Sequence, residues 1–264
     1  MMHSWIVAAA LALSLGAAQA AIKEEPVEYK DKDTAMKGVI VYDDASQSRR
    51  PGVIVVHEWW GITPHVREEA RRLAGSGYTA FIADMYGDGK TADNPKDAGA
   101  LAGSVRKDPA VMRSRFEAAQ QALGRHATVD AKKVGAIGFC FGGSVVLDMA
   151  RAGAPLAGVA AFHAGLDPAG PRASEGQVTS KVLVLNGAAD PFIKPESVAA
   201  FRKEMDSAKV DYTYVNYPEA VHAFTNPEAT AKGKEFNLPL RYDAEADRQS
   251  KAEMATFLSS LFGK

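Results

Sequence analysis

The chain holds one cysteine among its 264 residues, so no disulfide can form within it and stability must come from packing. Charge of either sign is in no excess. Thirty-one Lys and Arg stand against 32 Asp and Glu, net −1, and the basic residues are scattered rather than gathered into a stripe. That excludes the electrostatic footprint of a nucleic-acid binder. No apolar run reaches the roughly 20 residues that span a bilayer, and no internal repeat or linker divides the chain. The acidic stretch from Asp84 to Asp97 lacks the ordered spacing and terminal Glu of a calcium loop. No metal and no cofactor is called for.

What is present begins with a leader. Ile6 to Leu15 is almost wholly apolar and Ala-rich, and Ala18-Gln19-Ala20 supplies the small-x-small pattern of a signal-peptidase site, although Met1 to Ser4 carries no Lys or Arg. The expectation is a signal peptide over residues 1–20. An exported protein, periplasmic or secreted, would then keep a single domain over 21–264 and no stable membrane insertion. With 47% apolar residues that length can bury one good core.

The rest alternates short β-branched runs with helical spacing, the pattern of an α/β protein with a mostly parallel sheet. Strands are predicted over 38–42, 53–56, 78–83, 134–137, 156–162, 181–186 and 211–217. Val53 to Val56 reads as a central parallel strand, and 211–217 as a sheet edge. Helices are predicted from Pro64, Pro95, Pro109 and Pro195, and over 243–262. The charged segment 22–33 is expected to run over the surface.

The stretch Gly138-Phe139-Cys140-Phe141-Gly142-Gly143 organises the remainder. It follows an apolar strand and precedes a helical pattern, so it reads as a strand-to-helix elbow with Cys140 at its tip. The flanking glycines permit a strained backbone there. A thiol at a helix N-terminus is favoured in its ionised form, and the Phe141 N–H is aimed at the oxyanion formed when that thiol attacks a carbonyl. A lone cysteine is often a buried packing residue; the glycine frame argues for a nucleophile. Ser144 lacks that frame and is placed on the helix surface.

Other strand ends carry matching chemistry. Val53 to Val56 delivers Glu58, Trp59 and Trp60 to the edge where open α/β sheets place ligands. Glu58 is a candidate catalytic carboxylate, and the Trp59 N–H a second oxyanion donor. His57 is read as structural. Asp190 falls just past the strand ending at Asn186, and His222 follows the last strand. Nucleophile, acid and histidine thus occur in the chain order of α/β-hydrolases, with Cys in the first place. His222 can take the thiol proton while Asp190 fixes its tautomer.

These motifs, with Asp84-Met85-Tyr86, Gly187 to Asp190 and His222-Ala223-Phe224, resemble the dienelactone hydrolases (carboxymethylenebutenolidases), a branch of the α/β-hydrolase fold without a large cap domain. The resemblance covers essentially the whole chain from Val39. It implies a Cys140-Asp190-His222 triad hydrolysing a small ester or lactone, with Glu58 contacting the resting thiol until substrate displaces it. Trp60, Tyr86, Phe224 and Asn226 are expected to line the pocket. Family members bind a substrate carboxylate with two arginines, but the matching positions here hold Asp88 and Asn226. A buried anion without a cation is costly, so neutral substrates are expected. The competing readings are a thioesterase or broad esterase for larger acyl groups, and a redox sensor that uses Cys140 as a switch.

Overall fold

The computed structural model describes residues 21–263; the leader expected over 1–20 lies outside them. β1 (Ile22–Asp31) and β2 (Thr34–Asp43) form a hairpin. β3 (Arg50–Val56), α1 (Pro64–Gly75), β4 (Thr79–Ala83), α2 (Pro95–Arg106) and α3 (Pro109–Gly124) follow. After them come β5 (Val129–Phe139), α4 (Phe141–Arg151), β6 (Gly158–Phe162), β7 (Lys181–Gly187), α5 (Pro195–Ser207) and β8 (Tyr212–Tyr217). α6 (Ala229–Phe236) and α7 (Ala244–Phe262) close the chain. The strands make one sheet in the order β1-β2-β4-β3-β5-β6-β7-β8. β2 pairs antiparallel with β1 and β4, and every other pair is parallel.

Period-two alternation sorts the strand residues onto two faces. Ile54, Val56, Ala136, Val159 and Val184 face one core with side chains of α3, α4 and α5. Their neighbours Val53, Val55, Ile137, Ala160 and Leu185 face the other with α1 and α7. The central strands are covered on both sides, which is why they read as unbroken apolar runs. Proline occupies the first turn of α1, α2, α3 and α5, where its missing N–H costs nothing.

Two segments depart from the sequence-based expectations. Residues 22–31 form edge strand β1 rather than a surface run: Val27 and Tyr29 pack on the core, Glu25 and Glu28 are exposed, and Glu24 pairs with Arg67 and Arg71 of α1. Charges and Pro26 disguise it, and both belong on an edge strand, where they deter pairing with other chains. Helix α6, unforeseen in a segment of weak periodicity, ends at Asn237 in a left-handed conformation (φ 52°). The chain beyond it returns to the sheet end, where Leu240 bridges His222.

Candidate active site

The elbow is built by close approach. A Cβ on Gly138 would fall on the Gly142 carbonyl, and one on Gly142 would fall on the Val56 carbonyl. β5 can therefore turn directly into α4 beneath the end of β3. Cys140 caps α4 at φ 54°, ψ −114°, a region that a side-chain-bearing residue enters only when its surroundings force it. Its own N–H is tied to the Phe162 carbonyl at 3.0 Å, which leaves the thiol facing out.

Past β7, the buried Asp190 accepts the Phe192 N–H on Oδ1 at 2.9 Å and meets His222 Nδ1 with Oδ2 at 2.7 Å. With Nδ1 held there, the imidazole's other nitrogen is left for the Cys140 thiol, which favours a proton on the ring. Burial opposes charge on His222, but Cys140 and Asp190 outweigh it and push its pKa up to about 10. His163 stands beside it, edge-on at 5.3 Å between ring centroids. Full burial holds His163 neutral, and its Nε2 pairs with Thr225 Oγ1 at 2.9 Å.

Cys140 and His222 open into a cavity of about 560 Å³, walled by Trp59, Phe141, Phe192, Ile193, Leu238 and Leu240 among others. The size suits a small organic molecule. Neither the Phe141 N–H, on the first residue of α4, nor the Trp59 N–H is taken by a backbone acceptor. Tyr86 donates from its hydroxyl to the Trp59 carbonyl at 2.9 Å and so fixes the loop that carries the second of these.

Comparison with known proteins agrees with this architecture. The model of the dienelactone hydrolase family matches residues 36–262. The chain belongs to the dienelactone hydrolase family. It is a carboxylic ester hydrolase of the α/β-hydrolase fold. Protein usf of Aquifex pyrophilus is 30% identical over 206 residues, covering 76% of this chain and 86% of that one. A dienelactone hydrolase-like promiscuous phosphotriesterase from metagenomic libraries is 38% identical, with a TM-score of 0.85 over 92% of this chain and 99% of that one. The structure named m3DLH is 36% identical, with a TM-score of 0.86 over the same shares.

Against that family pattern several residues stand elsewhere than the sequence suggested. Glu58, 1% exposed, accepts Asn226 Nδ2 at 2.7 Å and lies 3.4 Å from His65 Nδ1. Its carboxylate is thus engaged away from Cys140, not on the resting thiol. Burial alone would raise its pKa; His65, Asn226 and His222 together bring it below the ordinary carboxylate value. Trp60, Tyr86, Phe224 and Asn226 do not line the cavity. They form the layer behind it: Trp60 packs on Phe236 under Lys232, Tyr86 on His57 and Phe141, and Phe224 on His163 and Tyr217. Motif position brings them to the sheet end, but their side chains turn into the core. Ser144, by contrast, reaches the cavity wall, its hydroxyl donating to the Gly165 carbonyl at 3.0 Å. His57 is structural as read, with Nδ1 on the Glu58 carbonyl at 2.6 Å and Nε2 accepting the Met85 N–H at 3.3 Å.

Of the family's arginine positions, Asp88 is exposed and 3.7 Å from Lys90, and Asn226 belongs to Glu58. The acid at position 88 therefore does not face the site. A cation does reach the wall from an unforeseen place: Arg106, at the end of α2, lies 5.4 Å above the Phe141 ring. Asp148 and Asp167 share the same wall. Asp148 is committed to Arg151 at 2.9 Å and to the Ala169 N–H at 3.1 Å.

Proposed function

We propose that the chain hydrolyses small neutral carboxylic esters or lactones by covalent catalysis through Cys140, His222 and Asp190. The observation that carries this reading is the 2.7 Å contact of Asp190 with His222, on whose ring Cys140 also acts, with Cys140 and His222 both opening onto one largely apolar cavity. Cys140 Sγ attacks the carbonyl carbon, and the oxyanion is received by the Phe141 N–H at the start of α4 and the Trp59 N–H of the loop after β3. The tetrahedral adduct collapses to a thioester as the alkoxide leaves with the proton held by His222. His222, now neutral, takes a proton from water as it attacks the thioester, and Cys140 departs as the acid forms. Asp190 keeps the ring in one tautomer throughout.

Neutral substrates are favoured because the wall balances its charges. Arg106 is offset by Asp167, while Asp148 is paired with Arg151. The 38% identity to a phosphotriesterase adds that neutral tetrahedral esters suit a pocket of this kind. A short-chain aryl ester should be turned over by the wild type and not by Cys140→Ala; unchanged turnover in that variant would refute the mechanism. We also propose export, with cleavage after Ala20. Its test is the N-terminal residue of the secreted chain, Ala21 if the proposal holds and Met1 if it does not.

A further inference from the structure

Glu58 is held by a partner from outside the motifs. His65, in the first turn of α1, is buried, and neither of its ring nitrogens has a well-formed hydrogen bond. What it has is charge nearby. Glu58 Oε2 stands 3.4 Å from Nδ1, and the charge of Glu69, one turn further along α1, also acts on the ring. The remaining neighbours are the Phe139 ring of β5, edge-on at 5.0 Å, and Lys251 of α7, whose Nζ pairs with Glu69 at 2.7 Å and Asp247 at 2.8 Å. Arg72 reaches the same Glu69 at 3.6 Å. Charges of alternating sign thus run from Glu58 to the surface, and His65 is the member next to the active site. Burial disfavours its imidazolium, yet Glu58 and Glu69 raise its pKa above the ordinary value.

We propose that His65 positions Glu58: set against the buried carboxylate, it keeps Glu58 on Asn226 and away from Cys140, so the thiol pairs with His222 before any substrate arrives. The inference rests on the reading of Cys140 as the nucleophile. Its physical basis is that a carboxylate 1% exposed needs a counter-charge. Remove that charge, and Glu58 either takes up a proton or turns toward the thiol. In both cases a carboxyl group competes with His222 for Cys140. The arrangement leaves the free enzyme reactive, and also open to oxidation.

The single cysteine makes the test direct, since iodoacetamide can label no other thiol. Alkylation, in which the thiolate displaces iodide, should be fast in the substrate-free wild type at neutral pH. In His65→Leu it should fall by about tenfold, because a thiol engaged by a carboxyl group is withheld from alkylation. On a Glu58→Gln background the same substitution should change nothing, because the carboxylate through which His65 acts is gone. If His65→Leu does not fold by circular dichroism, His65→Gln replaces it, with the same result expected because glutamine carries no charge. Wild-type alkylation in the single variant, or an equal loss on both backgrounds, would overturn the inference. Ester turnover by Cys140→Ala would instead refute the functional reading, so the two failures are distinguishable.

Discussion

His222 Nδ1 and Asp190 Oδ2 meet at 2.7 Å with Asp190 4% exposed, and this contact determines which imidazole nitrogen faces Cys140. In Asp190→Asn the amide can donate to Nδ1 and so favour the opposite tautomer, which puts the ring proton on the nitrogen facing Cys140 and leaves no lone pair there to take a proton from the thiol or from water. Turnover of an aryl ester should drop by roughly 10²- to 10⁴-fold, while the fold, followed by circular dichroism, persists.

The pKa of His222, raised to about 10, has a kinetic consequence whose sign is fixed. The charged imidazolium is the proton donor to the leaving alkoxide, so activity is retained below that pKa and lost as pH rises through it. A kcat/KM profile for an alkyl ester, which reports the substrate-free enzyme, should keep its plateau through pH 8 and decline on a limb near pH 10. A decline centred near the ordinary histidine value would show that Cys140 and Asp190 do not act on the ring as described.

Gly142 packs against the backbone at the end of β3, and an added methyl would meet the Val56 and His57 carbonyls. Backbone cannot step aside as a flexible side chain can. Gly142→Ala should cost about 3 kcal/mol, the upper end for overpacking, lowering Tm by roughly 6–12 °C. The displaced elbow should lose activity as well. Calorimetry beside an ester assay reads both.

Charge on the cavity wall should act by small, opposite steps. Arg106→Met is expected to reduce kcat/KM for an ester bearing a carboxylate by about two- to fivefold more than for its neutral analogue, because an exposed charge is strongly screened. Asp167→Asn should shift the preference the other way by a similar factor. Matched neutral and anionic substrate pairs at low and high salt measure this, with the effect shrinking as salt rises.

Helix starts were legible wherever proline marked them, at Pro64, Pro95, Pro109 and Pro195. The elbow was legible because only glycine fits at positions 138 and 142. Asp190 and His222 could be found because strand ends in a parallel sheet converge on one edge. What a sequence does not carry is the direction of a side chain once it reaches that edge. Trp60, Tyr86, Phe224 and Asn226 arrive there and turn inward, whereas Leu238 and Leu240, from a segment without periodicity, turn toward the cavity. Arg106 and His65 were missed for a related reason: each sits on a helix whose approach to the site depends on packing, not on spacing in the chain. Edge strand β1 hid behind its charges.

The central claim is that Cys140 carries the acyl group. Acid quenching during steady-state turnover of an aryl ester, followed by mass spectrometry of the intact chain and its peptides, tests this directly. The account predicts one acyl group, located on Cys140 and absent from Cys140→Ala. An acyl group on another residue, or turnover that survives in Cys140→Ala, would contradict it.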